Sequence, residues 1–194
     1  LQGNTLTLIQ TTLPLGEPVT LAELKTHLRI EHDDDDTLLG QLIAVARQTV
    51  ERDCRVAMIN RSFRLVFDCW PADGTLRLPV HPAQAVTAIT SFDVAGDAVP
   101  HNLDGLVLDG HGLPPRLHLP NAVTGLRPIN GFEIDFVAGF GDSGIEVPDG
   151  LRRAVLLLAA QHYELRAQIQ PSDMPAAWPV GYSALVAPYK QVRL

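Results

Sequence analysis

Residues 136–153 read FVAGFGDSGIEVPDGLRR. Two well-known patterns overlap in this stretch. Gly139, Gly141 and Gly144 fit the GxGxxG spacing of a dinucleotide-binding loop. Gly141-Asp142-Ser143-Gly144 fits the nucleophile loop of a serine protease. A dinucleotide loop needs a helix that begins inside the motif, because the helix amides and dipole hold the pyrophosphate. Here Ile145-Glu146-Val147-Pro148 intervenes, Pro148 biases Val147 towards extended backbone, and a helix starts only near Asp149. A protease loop needs backbone amides for an oxyanion hole and a His and an Asp around the Ser. Position 145 is Ile where a further Gly is wanted, and the histidines at 27, 32, 81, 101, 111, 118 and 162 carry no family signature. The plainest reading is a strand, a tight turn and a helix start. Gly139, Gly141, Asp142, Gly144 and Pro148 are its strand-to-helix hinge, and Asp149 is the expected cap of the helix.

Outward from that hinge the chain reads as α+β. On the C-terminal side, Leu151, Ala154, Val155, Leu158, His162 and Leu165 form one helical stripe over 151–168, widened by Leu156, Leu157 and Ala159 into a mostly buried helix. His162 reads as a core residue. From Gln170 onward Pro171, Pro175, Pro179 and Pro188 forbid one continuous helix, and the segment is expected to be an extended arm with an apolar content. On the N-terminal side, residues 62–138 show period two, as in Phe63, Leu65 and Phe67, and short apolar runs punctuated by Gly, Pro, Asn and Asp. That is an antiparallel β region of hairpins. Further back, Thr20-Leu21-Ala22-Glu23 is a capping box ahead of Leu21, Leu24 and Leu28. A longer helix starts within Asp33–Asp36 and carries Leu38, Leu39, Leu42, Ile43, Ala46 and Val50 at helical spacing. The expected fold is a mainly α-helical core of three or four helices with an inserted antiparallel β region and an extended C-terminal arm. The boundaries are 1–61 and 139–169 for the helical core, 62–138 for the β subdomain and 170–194 for the arm.

Composition narrows the function. The 194 residues are 46% hydrophobic and 19% charged, a globular balance, and the net charge of −7 argues against wrapping nucleic acid. No apolar run reaches the roughly 18 residues of a membrane span, and LQGNTLTLIQ lacks the basic n-region of a signal peptide. Glu31-His32-Asp33-Asp34-Asp35-Asp36 fails as a calcium loop in both frames that begin on Asp33 or Asp35, because the twelfth position is Ala44 or Ala46. It reads as a helix cap with a solvated acidic face. The histidines include no HExxH or tight pair, so no metal and no cofactor is expected. Cys54 and Cys69 lack CxxC spacing and are expected as reduced, buried thiols. Trp70 and Trp178 read as packing residues.

The order of these segments resembles the head–tail connector (adaptor) proteins of tailed phages and phage-derived gene transfer agents. The resemblance rests on VTLAELKTHLRIEHDDDDTLLGQLIAVARQTVERDC at 19–54 and LRLPVHPAQAVTAITSFDVAG at 76–96. It rests also on FVAGFGDSGIEVPDGLRRAVLLLAAQHYELR at 136–166 and the arm ALVAPYKQVRL at 184–194. Within the third stretch an aromatic-Gly-Asp turn, Phe140-Gly141-Asp142, precedes Val147-Pro148 and a helix ending near Tyr163-Glu164-Leu165-Arg166. The resemblance implies a structural virion protein in the neck of a phage or gene transfer particle, assembled in the host cytoplasm, and no enzyme. It implies a ring of about twelve copies closed by heterologous contacts, placed between the portal protein and the next neck protein. Double-stranded DNA would pass through the channel without specific binding, and no membrane would be involved. On that reading Tyr182, Leu185, Tyr189, Lys190 and Arg193 in the arm would grip the portal. Asp33, Asp34, Asp35 and Asp36 would meet Arg29 or Arg47 of a neighbouring copy, and loops such as Asp109–Leu113 would face the tail-ward component. The alternatives are another neck or tail-completion protein of the same particle, and a hydrolase using Ser143.

Overall fold

The computed structural model describes residues 5–119, 124–165 and 178–190. The chain divides into two compact units, each built from separate stretches: Leu1–Pro14 with Asn60–Gly139, and Leu15–Ile59 with Phe140–Leu194.

The first unit is a β structure. Its larger sheet contains β1 (Leu6–Gln10), β2 (Arg61–Phe67), β4 (Ala83–Phe92), β5 (Ala98–His101) and β8 (Phe132–Ala138). Their order is β1-β2-β8-β4-β5, with every neighbouring pair antiparallel. A smaller sheet of order β3-β7-β6 joins β3 (Thr75–Arg77), β6 (Val107–Asp109) and β7 (Arg116–His118). Period two sets the faces. Phe63, Leu65 and Phe67 are buried on β2, and opposite them lie Phe136, Ile134 and Phe132 of β8. Phe63 stacks on Phe136 with centroids 5.6 Å apart, and Phe67 on Phe132 at 5.2 Å. Such pairs add about 0.5–1.5 kcal/mol each beyond their buried area. Trp70 packs edge-on to Phe132 at 5.6 Å. On the opposite face Arg64 reaches both carboxylate oxygens of Asp135, at 2.7 and 2.8 Å, so the polar positions of the alternation pair across strands.

Two strands differ from the sequence reading. Residues 1–61 were expected to be helical core, yet β1 pairs with β2 and residues up to Pro14 belong to the β unit. The cause is a tertiary pairing across more than fifty residues, Gln10 opposite Phe63, which local periodicity does not register. β5 likewise forms despite Pro100, because proline is tolerated on an edge strand.

The second unit is helical: α1 (Leu21–Leu28), α2 (Asp36–Cys54), α3 (Asp149–Leu165) and the short α4 (Tyr182–Val186). The capping box forms as its residues dictate: the Glu23 amide donates to Thr20 Oγ1 at 3.2 Å, and the Thr20 amide to Glu23 Oε2 at 2.7 Å. Leu39, Ile43, Ala46 and Val50 place one stripe of α2 in the core, against Leu24 of α1 and Leu151, Ala154, Val155 and Leu158 of α3. Each large apolar side chain buried there contributes about 1.5–3 kcal/mol. His162 is half-buried rather than a core residue.

The C-terminal segment carries a helix where it is described. α4 is followed by a 3-10 turn over Ala187–Tyr189, and Tyr182 and Val186 are fully buried in the helical core. Residues 178–190 of the expected arm therefore fold into a short helical hook, and they belong with the helical unit. Pro179 and Pro188 are accommodated in this hook instead of preventing it. Pro179 precedes the Gly181 N-cap, and Pro188 sits in the first turn of the 3-10 segment, where a missing amide hydrogen costs nothing.

Candidate functional site

The chain leaves β8 through Gly139 and enters α3 at Asp149. A Cβ on Gly139 would lie 2.4 Å from the amide nitrogen of Asn60, at a φ of +151°, so only glycine fits. Beyond it, Gly141 makes room for a carboxylate. Its missing Cβ would stand 2.2 Å from Cδ of Glu146. Glu146 turns back and accepts from the Ser143 amide at 2.9 Å and the Ser143 hydroxyl at 2.8 Å. The Ser143 hydroxyl and amide, followed by the Asp142 amide, hold the Glu146 carboxyl below its ordinary pKa. Ser143 thus donates to a carboxylate within its own turn, the Glu146 half of a capping box, and the spacing Ser143-x-x-Glu146 was the signal for it. Gly144 opens the 3-10 turn Gly144–Glu146. The Pro148 carbonyl accepts from the amides of Leu151 and Arg152 at 2.9 and 3.1 Å. Pro148 is therefore the residue that starts α3. Asp149, expected as its cap, is the first helical residue and lies 3.4 Å from Arg152.

The acidic break between α1 and α2 is tied down within the chain. Lys25 Nζ lies 2.5 Å from Asp33 Oδ1 and 2.8 Å from Asp36 Oδ1. The hydrogen bond from Lys25 holds Asp33 below its usual pKa, and those from Asp33 and Asp36 raise Lys25. Asp35 occupies the N-cap of α2, but its side chain makes no cap bond and accepts from Tyr163 Oη at 2.6 Å. Asp34 and Arg29 are exposed. Arg47 is buried: its guanidinium bonds Glu17 at 2.7 Å and Glu51 at 2.9 Å, while Glu51 accepts the Met58 amide at 2.8 Å. Burial alone would depress Arg47, and the two carboxylates overcome it and raise its pKa. Arg47, expected to reach a neighbouring copy, is thus engaged inside its own helical unit.

The C-terminal hook is rooted on α2. Tyr182 Oη donates to Asp53 Oδ2 at 3.0 Å, and Lys190 Nζ sits 2.9 Å from the same oxygen. Burial, then the bond to Asp53, pushes the Tyr182 phenol well up from its ordinary value. Trp178 stacks on Tyr182 with centroids 4.4 Å apart and planes at 6°. Leu185, Tyr189 and Lys190 are half-buried, Val180 is fully exposed, and Arg193 lies outside the described residues. Asp53 carried no sequence signal, since one carboxylate near a helix end resembles any solvated charge.

Other candidates are placed plainly. Asp109 pairs with Arg116 at 2.6 Å beside the exposed His111. Cys54 is buried, and burial pushes its thiol up to about 12. Cys69, expected to be buried, is exposed in the turn after β2. Among the described residues no group of three or more His, Cys, Asp or Glu side chains is arranged to hold a metal, and no helix is long and apolar enough to cross a membrane. A groove of about 420 Å³ lies beside Ala22, Thr26, His27, Arg153 and Leu156.

No curated protein matches the sequence significantly. Residues 18–93 match the family model described as Phage gp6-like head-tail connector protein. Among solved structures, a chain from the neck of an empty gene transfer agent particle, computed with C6 symmetry, shares 34% identity at a TM-score of 0.80, covering 97% of each chain. A chain from the virion of a native gene transfer agent particle shares 34% at a TM-score of 0.79, covering 96% of each. A third, from the neck of a native particle computed with C12 symmetry, shares 34% at 0.78, again over 97% of each. With this identity along nearly its whole length, the chain belongs to the phage gp6-like head–tail connector family and is a structural head–tail adaptor.

Proposed function

We propose that the chain forms a ring in the neck of a phage or gene transfer particle, between the portal and the next neck or tail component, and that assembly takes place in the host cytoplasm. The observation that carries this is the end-to-end likeness to a neck chain, 97% of both molecules at a TM-score of 0.80. The C12 symmetry of a related neck supports about twelve copies. A net charge of −7 suits a channel through which double-stranded DNA moves without being retained.

Within that ring the C-terminal segment meets the portal, through Leu185, Tyr189, Lys190 and Arg193, with Tyr182 as its buried root. Lateral contact falls to Asp34 and Arg29, which are exposed and lie outside the Lys25 ion pairs. Asp33, Asp35, Asp36 and Arg47 hold that break and its helices in shape through bonds within the chain. Loops of the β unit such as Asp109–Leu113 face the tail-ward component.

The test is co-expression with the portal protein encoded beside this chain, imaged by electron microscopy. A ring of added density under the portal is expected. Deleting 179–194 would remove Tyr182 and Val186 from the core and confuse folding with docking. Arg193→Glu is the better variant, because it reverses a charge of the proposed contact and leaves the buried Tyr182 and Val186 in place, and it should stay folded and lose the ring. A bare portal with the unaltered chain would sink the portal contact and favour another position in the neck.

A further inference from the structure

The larger sheet ends on one side in β1, whose five residues are all exposed, Leu6 at 46%, Leu8 at 37% and Ile9 at 45%. Among the described residues β1 pairs with β2 alone, so one row of its backbone amides and carbonyls has no strand beside it there. Native proteins guard such edges with Pro, charge, a bulge or shortness. The other outer strands of the two sheets are guarded. β5 carries Pro100, while β3 and β6 are three residues long and carry Arg77 and Asp109. β1 has no such device: LTLIQ is uncharged, free of Pro and Gly, and in unbroken register with β2. Leu6 and Leu8 also lie opposite Phe67 and Leu65, both fully buried. The apolar face of the sheet therefore runs out to its last strand and, among the described residues, stops uncovered.

We propose that this edge receives a sixth strand from a different neck protein, an extended, uncharged segment with apolar residues at alternate positions. The backbone ladder supplies affinity, and the uncovered Leu6 and Leu8 select the apolar side chains. A second copy of this chain is the rival occupant, and the edges argue against it. The guarded strands make poor mates. β1 against β1 is a two-fold contact that closes at two copies, which a ring of purely rotational symmetry does not accommodate. That step rests on the ring reading above. With no charge on the strand, the contact should resist salt.

The test compares amide hydrogen exchange over residues 6–10 in the free chain and in purified particles, with a benzophenone side chain replacing Ile9 to identify the neighbour. Exchange should slow by about tenfold or more in the particle, and the cross-link should join a different polypeptide. Leu8→Lys and Ile9→Lys each place a guard on the edge. They should leave the free chain folded and abolish the slowing. Unslowed exchange in particles that contain the chain overturns the inference, as does a cross-link to another copy or slowing that survives both lysine variants. Particles that lack the chain would refute the ring reading itself, and this inference with it.

Discussion

Replacing Tyr182 by Ala should destabilise the helical unit by about 3–5 kcal/mol, the usual cost of emptying a buried aromatic site. Tyr182 is fully buried, packs in the same core as Leu24 and Leu151, and stacks on Trp178. Tyr182→Phe separates the hydroxyl from the ring. It removes a 3.0 Å bond to a carboxylate, a class worth about 1.5–3 kcal/mol. Lys190 stays 2.9 Å from Asp53 and keeps it paired, so the loss should fall near the lower end. Val180→Asp is the control. Val180 is 100% exposed, and surface changes of this kind stay within about 0.5 kcal/mol. Urea unfolding followed by helical circular dichroism reads all three. Equal midpoints for Tyr182→Ala and Val180→Asp would show that the hook adds nothing to the core and would refute the reasoning.

Gly141→Ala should displace Glu146 and cost about 1 kcal/mol, the worth of the lost cap. Added to Glu146→Ala it should cost nothing further, and additive losses in thermal unfolding would count against the packing described. Gly139→Ala has backbone in its way and no such escape, so it should cost about 1–3 kcal/mol by the same measurement. Glu23, Asp33 and Glu146 have depressed pKa values in the fold. Their contribution is complete above the ordinary carboxyl range and fades as pH falls through the lower folded values. Stability should therefore be flat from pH 7 down to about 5 and fall below that, with Glu23→Gln flattening the acid limb; a slope unchanged by that variant would count against the bonds that Glu23 accepts from Thr20 and, secondarily, from Arg152. Iodoacetamide at mild alkaline pH should label Cys69 and spare Cys54, whose thiol is buried with a pKa near 12. Labelling of Cys54 in the native chain, read by peptide mass, would contradict that burial.

What the sequence disclosed, it disclosed through local chemistry. Thr20 and Glu23 announce α1 because both halves of a capping box lie within one turn, and the alternation at Phe63, Leu65 and Phe67 needs only neighbours to be seen. The strand-to-helix passage was legible for the same reason, down to Pro148, although Glu146 as the occupant of the space left by Gly141 was overlooked. β1 was hidden because LTLIQ becomes a strand only when β2 lies beside it. The hook was misread because four prolines suggest an open chain unless one knows that Tyr182 has Asp53 waiting for its hydroxyl. Arg47 looked like a surface charge on a helix, and Glu17 and Glu51 converge on it only in three dimensions.

The chain crosses between its two units at Pro14–Leu15, Ile59–Asn60 and Gly139–Phe140. The β unit is therefore not a cassette spliced into a helical host at a single point. A graft that exchanged only the stretch from Asn60 to Gly139 with a relative's would leave the old first strand facing a foreign β2, with Leu65 and Phe67 bare wherever the two disagreed. The first fourteen residues have to be inherited together with that stretch. Among relatives, substitutions at Leu6, Leu8 and Ile9 should accordingly track those at Phe67, Leu65 and Arg64 more closely than changes in the adjacent helices.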